Sequence, residues 1–147
     1  MIKFGVETLA DVYDELQPIL LENYEELTFD KDLVKLDPDW DSYRQLDADG
    51  KLVIFTARDD AALIGYAFFF VSRHIHYKSL VVASNDVLFI KKEHRLGMVG
   101  VKFLKFCDSN LSMADKIVWH VKPTPDFSPI LHRLGYKYED TLMGRIR

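Results

Sequence analysis

The densest run of chemically useful residues is Asp86-Val87-Leu88-Phe89-Ile90-Lys91-Lys92-Glu93-His94-Arg95-Leu96-Gly97-Met98-Val99-Gly100. Asp86 to Ile90 is β-prone, and helical spacing starts at Met98; cationic side chains and two glycines lie close to the junction. A strand that feeds a helix through a short turn aims unpaired backbone N–H groups, and the positive end of the helix dipole, at one place. That place suits an anion. Gly97 and Gly100 allow the backbone to approach a diphosphate with no Cβ in the way, and Arg95 adds a charge-assisted contact. The same residues also describe an ordinary helix start whose glycines serve a tight turn, so the motif alone leaves both readings open.

If the chemistry takes place at an amine, it needs a proton acceptor, because an alkylammonium of pKa roughly 10.4 is charged at neutral pH. Asp86 begins the proposed strand and either faces a cleft or caps a turn. His76, followed by Tyr77, has an imidazole's pKa, although a lone strand histidine is often structural. Glu26 ends the first helical stretch, where a solvated carboxylate is the plainer reading. Two metal patterns fail. His74 and His76 share a strand face but lack further ligands at metal spacing, and the Asp37, Asp39, Asp41 series has Ser42 and Ala48 where a calcium loop needs glycine and glutamate. Cys107 falls on an apolar helical face and reads as core rather than nucleophile.

The elements that must position these groups follow from periodicity. Leu9, Tyr13, Leu16, Leu20 and Leu27 form a helical stripe that Pro18 is expected to kink or split. Residues 28–51 read as a long, mobile, Asp-rich cover with a short helix near Trp40 to Gln45. Leu52 to Ala57 and Ala62 to Ser72 make a hairpin, and Ser79 to Ile90 contains the next strand. A helix over Met98 to Leu111, a strand over Ile117 to Val121, a helix over Asp126 to Leu134 and a last strand over Tyr136 to Ile146 complete the order. This is an α/β layered domain with a mixed sheet.

At 147 residues and 17.1 kDa the chain is expected to be a single domain spanning residues 1–147. A hydrophobic fraction of 48% and a charged fraction of 29% suit a globular fold. The formal charge of -4 argues against a surface built mainly to neutralise phosphates, so nonspecific nucleic-acid binding is disfavoured and no sequence-specific nucleic-acid partner is expected. No apolar run approaches the roughly 18 residues of a membrane span, and the N-terminus lacks a secretory pattern. One cysteine fits a reducing compartment, so the expectation is a soluble, cytoplasmic protein without a membrane partner.

The stretch around Arg95 resembles the acyl-CoA-binding signature of the GNAT superfamily of N-acetyltransferases, in which a central strand precedes Arg/Gln-x-x-Gly-x-Gly/Ala and a helix. Arg95 takes the first position and Gly100 the last, while Met98 stands at the middle glycine; in a shifted register His94, Gly97 and Val99 take the three places. The Arg-x-Gly-x-x-Gly form is similar to small phage and prophage members. The likeness extends to Asp37 to Tyr43, Leu63-Ile64-Gly65-Tyr66, His76-Tyr77, Asp86 and Leu134-Gly135-Tyr136-Lys137-Tyr138-Glu139.

This resemblance implies a mostly antiparallel central sheet flanked by helices, with a splayed strand pair forming an acyl-CoA cleft. It implies acetyl-CoA as co-substrate and no metal. The pantetheine would run along Leu88, Phe89, Ile90 and Lys91, and the pyrophosphate would rest on Arg95, Leu96, Gly97, Met98, Val99 and Gly100. The N–H of Leu88 or Phe89 would stabilise the developing oxyanion, and Asp86, His76 or Glu26 would take the proton. The family's usual acid, a tyrosine, is replaced by Leu131; Tyr77 or Ser128 would substitute, or the thiolate would leave unaided. The implied reaction is direct attack by a primary amine in a ternary complex, the amine being small, on a protein or on a modified nucleotide, and the protein a monomer or homodimer. Leu131 and Met98 keep open a different class: a weakly active or inactive CoA-binding protein that acts on a host or phage partner. A fold relative with no CoA site is the third option.

Overall fold

In the computed structural model, which describes residues 1–147, the first element is one that the periodicity reading leaves out, strand β1 (Ile2–Glu7). Its alternation of Ile2, Phe4 and Val6 is short, but it pairs antiparallel along β2 from Ile2 opposite Asp59 to Glu7 opposite Ile54. Helix α1 (Leu9–Leu27) begins at Thr8, whose hydroxyl accepts the Asp11 amide at 3.3 Å. The helix continues through Pro18 instead of splitting there. Pro18 faces solvent, the Gln17 side chain donates to the Tyr13 carbonyl at 2.9 Å, and Leu9, Val12, Leu16 and Ile19 anchor both halves to the sheet. The buried stripe therefore runs through Val12 and Ile19, with Tyr13 and Leu20 on its flank.

After α2 (Trp40–Ala48), strands β2 (Leu52–Asp59), β3 (Ala62–Arg73) and β4 (Val81–Ile90) form a meander. Helix α3 (Val99–Ser109), strand β5 (Lys116–Val118) and helix α4 (Ser128–Arg133) follow. The sheet order is β1-β2-β3-β4-β5, antiparallel except for the parallel β4–β5 pair. This is the mixed, mostly antiparallel sheet flanked by helices. One core lies between α1 and the sheet, with Leu16, Ile54, Tyr66, Phe68 and Phe89, and the other lies under α3, with Phe55, Phe69, Phe103 and Cys107. The run Phe68-Phe69-Phe70 feeds both, since successive strand residues point to opposite faces. No helix is long and apolar enough to cross a membrane.

The expected last strand does not form. Residues from Tyr136 onward pair with no strand, because the nearest sheet edge, β5, is only three residues long. The segment is held instead by side chains: the Tyr136 hydroxyl on Asp108 at 2.5 Å, Tyr138 with Ser128 at 2.8 Å, and Glu139 with Lys116 at 2.7 Å.

β3 and β4 approach closely where Gly65 lies opposite Ile90. A Cβ at Gly65 would stand 2.9 Å from the Phe89 carbonyl oxygen and 3.0 Å from Ile90 Cγ1. Gly65→Ala is expected to cost about 1–3 kcal/mol of stability in urea denaturation, the range for overpacking. An unchanged midpoint would mean that β4 yields freely at this point.

Candidate active site

The site is built where β4 leaves β5. The two strands pair only at Val82–Lys116, Ala83–Ile117 and Ser84–Val118. One residue later the β3 register slips: Phe69 opposes Asn85 but Phe68 opposes Val87, so Asp86 is the extra residue of a bulge. Asn85, 5% exposed, wedges the fork open, its side-chain oxygen accepting the His120 amide at 2.5 Å. Beyond it, residues 119–121, expected to prolong β5, turn away, and a cleft of about 710 Å³ opens between β4, α3 and the segment Trp119 to Lys122.

The register shows which backbone groups face this cleft. Lys91 N–H donates to the Ile64 carbonyl on β3 at 2.8 Å. Antiparallel ladders alternate, so the main chain of Phe89 also turns to β3, and that of Leu88 and Ile90 turns to the fork. Of the two amides considered for an oxyanion, Phe89's is committed to the sheet and Leu88's faces the cleft.

At the far end of the cleft the chain makes one tight helical turn, Lys92–His94, and Gly97 adopts φ +71 before α3 begins at Val99. The amides of Gly97, Met98, Val99, Gly100 and Val101 donate to no group of the chain. A Cβ on Gly100 would meet nothing within 4 Å, so the space beside Gly100, which lines the cleft, is open. Met98 has φ -99, an ordinary value for a side-chain-bearing residue, and Gly97 supplies the left-handed step one position earlier. The departure at Met98 is thus sterically harmless.

Arg95 is engaged differently from the sequence expectation. Its Nε donates to the Ile90 carbonyl at 2.7 Å, its Nη atoms bind both Glu26 oxygens, Nη2 at 2.7 Å, and its guanidinium lies 5.3 Å from the centre of the Phe89 ring. Arg95 therefore clamps the turn to α1 and to the end of β4. Glu26 lines neither this cleft nor the cavity described next. Hydrogen bonding from Arg95 holds its carboxyl below the ordinary 4.5. A depressed folded-state pKa means that stability is fully present above 4.5 and lost as pH falls toward the folded value. Glu26→Gln is expected to lower the melting temperature by a few degrees at neutral pH, with the difference from wild type vanishing on acidification below 4.5. A difference that persists at acid pH would place its origin outside the ion pair.

A second cavity, about 300 Å³, lies beneath the connection between α1 and α2. It shares Asn23, Thr28, Asp86 and Val87 with the cleft. Residues 28–51, read from sequence as a mobile cover, contribute a fixed wall here: the Tyr24 hydroxyl donates to the Val34 carbonyl at 2.6 Å, and α2 carries Trp40 and Tyr43 inward. The Tyr43 hydroxyl donates to the Asp86 carboxylate, and its ring packs 5.5 Å from Phe68 and 5.7 Å from Trp40. Burial, then the neighbouring Asp86, push the Tyr43 hydroxyl well above its usual range, so it remains a protonated donor.

His76 and Tyr77 lie elsewhere. They occupy the exposed turn between β3 and β4, their amides donating to His74 Nδ1 at 3.2 Å, and they line neither cavity. That turn enters β4 at the end opposite α3, so the structure does not bring His76 to Asp86. Leu131 is buried at 5% exposure, and Ser128 is engaged by Tyr138. Among the side chains that line these cavities but are absent from the sequence reading of the site, Tyr43, Asn85, His120 and Lys122 carry polar groups. His120 joins Ser84 Oγ at 3.1 Å. The Lys122 ammonium donates to the Leu27 carbonyl and lies over Phe29 at 4.7 Å, and burial lowers its pKa. No group of three or more His, Cys, Asp or Glu side chains is placed to hold a metal.

No protein-family model matches the chain, and no curated protein matches its sequence. Solved structures match its fold over nearly the full length. A GCN5-related N-acetyltransferase from Ralstonia eutropha superposes with TM-score 0.75 at 14% identity, covering 99% of each chain. A ribosomal-protein-alanine N-acetyltransferase from Brucella melitensis biovar Abortus gives 0.70 at 18%, covering 100% of this chain and 99% of that one. A predicted acetyltransferase from Clostridium acetobutylicum, solved with acetyl-CoA, gives 0.71 at 13%, covering 99% and 96%. The chain has the fold of the GNAT acetyltransferases.

Proposed function

We propose that residues 1–147 act as one acetyltransferase domain that moves an acetyl group from acetyl-CoA to a primary amine by direct attack. The observation that carries this reading is the meeting of the two cavities at Asp86 and Val87. In the 710 Å³ cleft the Leu88 main chain and the Ile90 N–H are turned outward to pair with an extended pantetheine arm, the Ile90 carbonyl being taken by Arg95, and the amides from Gly97 to Val101 are unpaired for the diphosphate. The residues present therefore fit acetyl-CoA. The smaller cavity opens on the same point from the α2 side, where an amine can reach a thioester held in the cleft. Fold neighbours whose names specify a ribosomal-protein alanine or aminoglycosides as acceptors support an amine here.

The thioester supplies an activated carbonyl and a thiolate leaving group. The Asp86 carboxylate accepts a proton from the incoming ammonium, directly or through water, so that the nitrogen lone pair is free to form the new C–N bond. The Leu88 amide is directed to the side on which negative charge develops at the carbonyl oxygen. The attacking nitrogen sheds its second proton to solvent, the oxyanion collapses as the C–S bond breaks, and the thiolate takes a proton from solvent or from His120, the histidine that lines the cleft. Holding both partners at one junction supplies much of the acceleration by orientation.

The test has two parts. Saturating acetyl-CoA should raise the melting temperature, and free thiol should appear on addition of primary amines and remain at background without them. Binding without thiol release for any amine would leave a CoA-binding protein; absence of both would end the reading.

A further inference from the structure

The 300 Å³ cavity has a composition that narrows the acceptor. From it we infer that the site takes a compact cationic amine: a free alkylammonium on a short apolar stem. This inference rests on the acetyl-transfer reading for the fate of the amine, but not for its binding.

The walls provide two kinds of complement. Asp37 and Asp86 contribute carboxylates, while Trp40, Tyr43 and Phe68 contribute aromatic surface. Carboxylates attract an ammonium directly, and aromatic faces attract it through their quadrupoles while burying its methylenes. Lys35, the lining cation, is engaged by the chain itself: its ammonium donates to the Lys31 carbonyl at 3.1 Å. The walls are also fixed before any ligand arrives. Tyr24 is bonded to the Val34 and Lys31 carbonyls, Tyr43 is bonded to Asp86, and Asn23 Nδ2 donates to the Tyr66 hydroxyl at 2.7 Å. A preformed space is entered without the cost of ordering its walls.

Size and charge favour a small cation over other occupants. About 300 Å³ is at the small end of ligand cavities, which run from roughly 300 to 1,000 Å³. A carboxylate ligand would face Asp37 and Asp86, and a neutral alcohol would gain the apolar contacts and an uncharged hydrogen bond but no charge attraction. The ammonium end is placed near Asp86, at the junction with the larger cleft, and the stem lies against Trp40 and Tyr43.

The test uses one stem length with three head groups, titrated calorimetrically into the full chain: pentylamine, pentanol and valerate. Pentylamine should bind at least about tenfold more tightly than pentanol, and valerate should give no heat of binding. Asp86→Asn and Asp37→Asn should each weaken pentylamine by about tenfold while preserving the melting shift given by acetyl-CoA; Asp37 is exposed on the connection, so its variant folds even if the other is impaired. Equal binding of amine and alcohol, no binding of pentylamine, or indifference to both substitutions would overturn the inference. If acetyl-CoA produces no melting shift while pentylamine binds with this carboxylate dependence, acetyl transfer falls and the amine site stands.

Discussion

Gly100→Glu is expected to weaken acetyl-CoA binding by about a hundredfold or more while leaving the chain as stable as before, or more so. The two effects have opposite signs because they act through different neighbours. In the folded protein a side chain at Gly100 projects into open space, so no packing is lost. Gly100 lies in the first turn of α3, where a non-glycine residue gains up to about 1 kcal/mol of helix propensity. A carboxylate there gains about 0.3–1 kcal/mol more from the helix dipole. With acetyl-CoA the same carboxylate would stand beside the diphosphate, and like charges brought together cost several kcal/mol. Calorimetric titration reads the first quantity and urea denaturation the second. Gly100→Gln, which has similar bulk without charge, should lose much less affinity. A parallel fall in binding and stability would show that Gly100 serves packing, and would remove the diphosphate from the α3 turn.

The turn was legible in the sequence because it is built from local features: a strand end, cations, glycines and a helix start within fifteen consecutive residues. The hairpin and α3 were legible for the same reason, since period and turn chemistry lie within a short window. Contacts across the chain were not. Tyr43 and Asp86 are 43 residues apart, and Arg95 and Glu26 are 69 apart. Nothing near Glu26 in the sequence indicates that its carboxyl is occupied by a guanidinium: its place at a helix end reads as a solvated charge, and the base role follows only from the family resemblance. His76 was misplaced by the same limitation. Its position between two strands gave its neighbours but not the end of β4 on which it falls, and direction along a strand decides which residues reach a cleft. Tyr136 to Ile146 has the composition of a strand, yet a strand exists only with a partner, and partner availability is a property of the assembled sheet.

The distinct roles proposed for Asp86 and Tyr43 predict that removing either side of their hydrogen bond has unequal consequences. Asp86→Asn keeps the shape and a group able to accept from the Tyr43 hydroxyl, but it removes the proton acceptor and the negative charge that holds an ammonium. Thiol release with an amine should fall by about a hundredfold or more, within the range for a lost general base. KM for the amine should rise, and acetyl-CoA affinity should remain near that of wild type. Tyr43→Phe removes the donor but leaves the carboxylate where it is, with the ring still packed against Trp40, Phe68 and Phe70. Its rate should fall by less than about tenfold, corresponding to one hydrogen bond that orients but does not react. If Asp86 served only to anchor Tyr43, both variants would lose the same bond and would decline together. Matching losses would move the base to another residue or to solvent, whereas a wide gap between the two rates requires the carboxylate itself to take part in proton transfer.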